Sequence, residues 1–549
     1  MATKFSGFTA GATTANTLVV GYDSVLNTNN QYTLSQLSTG LTPFLPANEL
    51  LVNETVYVDA VNGNDGTGAV GNMSKAYATI TAAKTAASVG DIVHVRPGTY
   101  QEDDICKDGV AMYFDKGAIV HPTDAQQTAS TKAILHADGF VNQLVILGHG
   151  EFISDCSYAP TATGVGYFDT DSVHCEFFQA TYTNGNASGA IKGTFVLEHI
   201  GTNDTEIFLR GNILKDETTG GVSQNGVYIV GGGRVQLECN VTQKNTSDGG
   251  SAIYINSGSS PVVSMSGNIY VEAPSAPSPL GNYGIRTGNN YHTIIWNGNI
   301  ELGTHANGYA IHNDGSYNEQ SNYSGFFLGP ILLSLNGLSG KGTYINGTQY
   351  CIGSPNGYAF TCNDDGTNVV DLAIVSNIKI FDISLGVLLF QGSAQTLSDN
   401  AAFLNCTGGK FIFNGVVNDQ DQRLTNSTIT GGEVVIQSDF ESWGSNYPND
   451  EYVFYVNGGT LRVDGCKIEN HQTTTGSGVI EYVSGNLILN GATLVSESVD
   501  VTTFSIKVVG ALNYIGYNDS FANMAVGGGG SLTNLITGGG IIVVDTDVE

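Results

Sequence analysis

The chain has 549 residues, with 50 Asp+Glu against 20 Lys+Arg for a formal net charge of −30, and 72 glycines. With 13% charged residues and no basic stripe, it excludes a binder that neutralises nucleic-acid phosphates or an anionic membrane surface. Hydrophobic residues at 41% exclude a disordered chain, and the surplus of Gly points to many turns between short strands.

The first fifty residues hold two short stretches, LVVGYD (Leu18–Asp23) and QYTLSQL (Gln31–Leu37), followed by a linker containing Pro43 and Pro46. The leading MATKFSGFTAGATT lacks the apolar core of a signal peptide, so synthesis in the cytoplasm is expected. No run approaches the roughly 20 apolar residues of a membrane span, so no membrane insertion is expected.

Next comes VYVDAVNGNDGTG, a short apolar run and then a burst of Asn, Asp and Gly. Asn62, Asn64, Asp65 and Gly66 resemble part of a calcium loop, but the position that should supply the closing acid is Asn72. The cluster is therefore read as a bend, with Gly66 and Gly68 supplying positive φ. A short helix follows: Thr79 caps it, Ile80, Ala83 and Ala87 share one face, and Gly90 is placed to end it. DIVHV then alternates as a strand, with Val93 and Val95 on one side and His94 on the other, closed by Pro97-Gly98.

Beyond this point the chain repeats itself. LNCTGGKFIFNG, TITGGEVVIQSD, YVNGGTLRVDGC, YVSGNLILNGAT and KVVGALNYIGYN align on Gly408, Gly431, Gly458, Gly485 and Gly510. An earlier series aligns GVYIVGGG, SAIYINSG, YGIRTGNN and YAIHNDGS, each followed by an alternating strand. The aligned glycines are 23, 27, 27 and 25 residues apart, and a repeat of this length, built of short strands without helices, predicts a solenoid. One repeat cannot bury its apolar face, but stacked repeats enclose a continuous core of Val, Ile and Leu. At ~4.8 Å between strands, roughly twenty rungs would make a rod on the order of 90 Å long. Its N-terminal edge must be covered, and the short helix is the expected cap.

The segment from Tyr57 to Glu102, with its YVD turn, TITAA helix and GDIVHVRPGTYQE strand, resembles the opening of right-handed parallel β-helices of the pectin-lyase-like superfamily. That resemblance covers about fifty residues and implies an all-β fold: a right-handed parallel β-helix with a short N-terminal capping helix. The start of the chain is similar to small modules that dock fibre and spike shafts of tailed bacteriophages to the virion. The residues that carry this likeness are Leu18, Val19, Val20, Gly21, Tyr22, Asp23, Tyr32, Leu34 and Leu37. The implied organisation is a virion-anchoring module and linker at 1–50, a β-helix opening and cap at 51–105, a shaft at 106–515 and a closing segment at 516–549. The implied partners are two further copies of the chain in a homotrimer, other virion proteins through residues 1–50, and a host-surface polysaccharide. The implied location is the virion surface after assembly in the host cytoplasm.

Chemistry is sparse. The eight cysteines (106, 156, 175, 239, 351, 362, 406 and 466) are scattered singly without CxxC pairs or zinc spacing, so they are expected as free, buried thiols; no metal site and no cofactor is expected. Lyases of the superfamily tend to use a basic proton abstractor beside calcium, whereas Arg210, Arg234, Arg286, Arg423 and Arg462 stand isolated in the sequence. A hydrolase needs two carboxylates about 5–9.5 Å apart. Side chains two apart on a strand lie roughly 7 Å apart on one face, which makes Asp439 with Glu441, and Asp419 with Asp421, the candidates. Trp443 and Tyr447 are candidate sugar platforms beside them. Solvated strand ends and turns in an acidic protein are the preferred reading of these acids, so no catalytic residue is assigned, and Asp364-Asp365-Gly366 reads as a turn. The expected function is a non-enzymatic virion fibre or spike that recognises a host glycan. The alternatives are a tailspike depolymerase and a purely structural capsid or neck fibre.

Overall fold

Alternation of apolar and polar residues over runs of five to a dozen residues produces strands almost throughout. The computed structural model describes 18–23 and 28–33, then 54–123, 125–126 and 132–155, and from 163 to 544 the strands of successive rungs with short flanks. Two compact units are present, Met1–Asn53 and Glu54–Glu549. In the first, Leu18–Asp23 and Thr28–Thr33 form an antiparallel hairpin in which Tyr22 faces Asn29. Leu34 and Leu37 lie outside the described residues.

The second unit is built of parallel ladders. Thr55–Val58 pairs with Ile92–Val95, which pairs with Ala111–Phe114, and the ladder continues rung upon rung to Ile541–Val544. From Ser172 to Cys351 a long strand alternates with a short one, and each pairs with its own kind two elements away. Thus Glu206–Glu217 lies beside Arg234–Asn245, and Asn225–Ile229 beside Ser251–Ile255. This is the connectivity of a solenoid, since equivalent strands of successive coils pair in parallel.

The long strands turn a corner midway. Gly267, Gly298, Gly325 and Gly347 occupy one register position at that corner. A Cβ on Gly325 would lie 1.8 Å from the Gly298 carbonyl oxygen, and its φ of 135° is one that other residues rarely adopt. The corner therefore requires glycine.

Inward positions stack like with like. Leu209, Leu237, Met265, Trp296, Tyr323 and Ile345 form one continuous column of buried side chains. Each such side chain gains on the order of 1.5–3 kcal/mol from burial only because a neighbouring rung covers it. Gln349 is the polar member of the adjacent column; its amide donates to the Gly329 and Ala359 carbonyls, at 3.0 and 2.7 Å. The seven described cysteines are free and buried, and burial pushes the thiol of Cys106 up to about 12, which keeps it protonated at neutral pH. Cys156 lies outside the described residues.

The opening segment departs from expectation in two details. Gly66 and Gly68 do not adopt positive φ; the left-handed glycine there is Gly71, with φ 71°. Gly68 is needed for space, because a Cβ would lie 2.5 Å from the Tyr77 ring. The helix Ile80–Ala86 ends at Ala87 rather than at Gly90, its last amide bond running from Ala87 to Ala83. Gly90, with φ 91°, shapes the turn into the next strand. The capping by Thr79 holds, as its hydroxyl accepts from the Ala82 amide. Asp364-Asp365-Gly366 is not a free turn: it lies within the strand Tyr358–Ser376, where the register slips between Asn363, opposite Leu385, and Thr367, opposite Val387.

Among the described residues, no helix is long and apolar enough to cross a membrane.

Candidate functional site

The Asn62–Gly66 cluster spends its oxygens on the chain. The Asn64 side-chain oxygen accepts from Gly66 N–H, and the two Asp65 oxygens accept from the Ala78 and Thr79 amides and the Thr79 hydroxyl. Glu102 completes the arrangement by accepting from the Ile80 and Thr81 amides at 2.7 and 2.6 Å. These are the orphan donors of the helix N-terminus, satisfied from two sides. The bend is a structural cap.

Asp439 and Glu441 flank the inward-pointing Phe440 and are both exposed on one face, as the alternation requires. The next rung places Lys467 and Glu469 beside them, with Glu441 directly opposite Glu469. Asp439 accepts from the Lys467 amide at 2.8 Å. The Lys467 ammonium is bonded to the Glu469 carboxylate, and His471 lies 3.8 Å from the same group. The bond to Glu469 raises the lysine above its usual range, with the charges of Glu469, Glu441 and Asp439 adding to it. A glycosidic general acid needs a buried, apolar setting that favours its protonated form. Two exposed carboxylates beside an ammonium are in the opposite setting, that of a solvated ion-paired patch. Asp419, Asp421, Trp443 and Tyr447 lie outside the described residues.

The arginines are not isolated in space. Arg210 sits in a column between Glu176 and Glu238, its Nε 2.8 Å from the Glu238 carboxylate and its Nη1 3.4 Å from Glu176. Its guanidinium also lies over Phe208, whose ring is tilted against that of His174 with centroids 4.7 Å apart. Arg462 pairs with Asp464 at 2.8 Å. Arg286 lies between the rings of Tyr254 and Tyr283, 5.1 and 4.9 Å from their centroids. Arg234 is exposed at the start of its strand, and Arg423 lies outside the described residues.

Sequence reasoning missed two constructions. One is the column Tyr228, Tyr254, Arg286, His312, with Tyr283 and Tyr309 stacked beside it at 6.2 Å. Taken from Asn225, the repeats NGVYI, SAIYI, YGIRT and YAIHN hold the residues of the column at the fourth position, so the signal was present. The other is a ridge of asparagines along the glycine corner. Asn240 donates to the side-chain oxygen of Asn212 at 3.0 Å, Asn268 to Asn240 at 3.2 Å and Asn299 to Asn268 at 3.0 Å. Such amide ladders stabilise stacked parallel strands. Among the described residues, no group of three or more His, Cys, Asp or Glu side chains is placed to hold a metal ion.

No family model, curated protein or solved structure matches this chain.

Proposed function

We propose that this chain is a virion fibre or spike: a right-handed parallel β-helical shaft, trimeric, docked by its first fifty residues and binding a glycan on a host surface. The observation that carries this reading is the unbroken parallel ladder from Thr55 to Val544, with outward positions given to polar and aromatic side chains. A solenoid of that kind repeats a surface every ~4.8 Å and suits a role in reach and repeated contact. The resemblance of Leu18–Leu37 to phage docking modules supports the anchoring role.

The test is an immunogold image of phage particles carrying this chain, together with small-angle scattering of the purified protein. Gold at an appendage and an elongated particle are expected, as is loss of incorporation when residues 1–50 are removed. A spherical scattering profile, or label absent from the particle surface, overturns the reading.

A further inference from the structure

One outward register position can be followed through eight rungs: Glu176, Arg210, Glu238, Ser266, Asn297, Ser324, Asn346 and Asp371. Charge is present at both ends and absent from the four rungs between. The neighbouring position behaves alike, running Ser264, Ile295, Asn322 and Tyr344 over the same rungs. Among the described residues, the outward positions of these four strands carry no charge from Val262 to the asparagine ridge, in a chain of net charge −30.

The chemistry of this face is specific. Val262 and Ile295, set diagonally on adjacent rungs, are 40% and 44% exposed and give the face an apolar pair. Around it stand hydroxyls and primary amides with capacity to spare. Each ladder bond of Asn268 and Asn299 uses one N–H and one oxygen lone pair, and a primary amide has two of each. Ser324 donates to the Trp296 carbonyl at 3.2 Å and lies 3.3 Å from the Asn297 side-chain oxygen, so the Asn297 amide donors point to neither. Apolar pair, aromatic edge at Tyr344 and adaptable amides together match a molecule with CH faces and many hydroxyls.

We infer that this charge-free face, centred on Ile295 and Asn297, binds an uncharged oligosaccharide. An acidic sugar would meet the field of a −30 protein with no cation on the face, and a cationic ligand would find no carboxylate there. The extent of the face also selects among occupants. Four strands at ~4.8 Å by about 20 Å of strand give an area on the order of 350 Å², far below the roughly 800 Å² per partner of a stable protein interface. It is ample for a few sugar rings. The inference depends on the fibre reading only for the glycan's source.

The test is a glycan array of neutral and acidic oligosaccharides probed with the full chain, followed by titration calorimetry with the strongest neutral glycan. Signals confined to neutral glycans are expected. Ile295→Asp and the isosteric Asn297→Asp should each weaken binding by at least about tenfold, because a carboxylate is then desolvated beneath an uncharged ligand. Val416→Asp, an exposed apolar position on a different strand, should leave binding unchanged. Binding to acidic glycans alone, to no neutral glycan, or undiminished in both face variants overturns the inference. So does equal loss in Val416→Asp, or a change in sedimentation with the face variants while glycan binding persists, which would assign the face to a second copy. A chain that decorates particles under immunogold yet binds no neutral glycan sinks this inference and leaves the fibre reading standing.

Discussion

The N-terminal cap, Glu54–Val120, and the middle of the shaft, Glu206–Cys351, bury similar apolar residues but satisfy their remaining backbone groups by different means. In the cap, carboxylates do it. Asp59 accepts from the Val61 and Asn62 amides, Asp91 from the Glu54 and Ser88 amides, and Asp65 and Glu102 from the helix start. Along the described strands of the shaft, backbone groups pair with the equivalent strand of the next rung, and side chains that help, such as those of Asn225 and Asn240, are neutral amides. A unique end must be closed by groups with strong, directed acceptor capacity, whereas a repeated interior closes itself. The turn held by Asp59 should therefore respond to pH, and the shaft to volume.

The largest effect belongs to the glycine corner. Gly325→Ala places a methyl 1.8 Å from the Gly298 carbonyl at a φ of 135°, and the backbone on both sides is locked into ladders. Loss of soluble, folded protein is expected, checked by expression yield and circular dichroism. A variant that folds with wild-type stability would show that the corner can shift.

Next in size is the interior column. Trp296 is buried between Met265 and Tyr323, so Trp296→Ala should cost about 3–5 kcal/mol, read as a lowered denaturant midpoint. The indole N–H has no hydrogen-bond partner among the described residues, so Trp296→Phe removes an unsatisfied donor along with some area and should cost much less. Neither difference should depend on pH between 4 and 8. If they do, the division between cap and shaft fails.

The pH-sensitive counterpart is Asp59. The Asn62 amide bond, helped by the Val61 amide and by Arg96 at 3.2 Å, holds its carboxyl below the usual range against the opposing effect of burial. A depressed folded value contributes stability that is present above the ordinary aspartate value near 3.9 and is lost as pH falls through the folded value. Asp59→Asn should therefore cost about 1–2 kcal/mol at pH 7, with the gap from wild type closing in the acid range. Hydrogen exchange of the Val61 and Asn62 amides, followed from pH 7 downward, measures it. A gap that stays constant into the acid range would mean that packing rather than charge holds this turn.

The contrast also explains what could be read without coordinates. The cap was legible because its signals are local: Thr79 precedes an apolar face by one residue, and Val93 and Val95 alternate within one strand. The solenoid was legible because repetition is visible as repetition. The charge-free face was not, because it exists only once rungs are registered. Ser264 meets Ile295 and Asn322 meets Tyr344 across intervening segments of unequal length, so no constant offset finds them. The ion column of Glu176, Arg210 and Glu238 was hidden for the same reason. Gly68 was misassigned because glycine serves close approach as readily as positive φ, and only the position of the Tyr77 ring decides between them.

The smallest expected effect is at Asp439 and Glu441, and it bears most directly on catalysis. Glu441 stands opposite Glu469, and like charges directly opposed across strands destabilise by about 0.2–1 kcal/mol. Lys467 offsets part of this, so Glu441→Gln should leave stability within ~0.5 kcal/mol of wild type, on the favourable side if anything. Asp439→Ala removes the acceptor of the Lys467 amide, but that amide is near solvent and water can replace the bond, so a loss of a few tenths is expected. An ion-paired patch predicts that neither change alters any turnover of polysaccharide. If the wild-type chain releases reducing ends or unsaturated sugars from a bacterial surface glycan, and Glu441→Gln abolishes that release while leaving the shaft intact, the patch is a catalytic centre despite its exposure. The acid would then have to gain its apolar setting from the bound sugar itself.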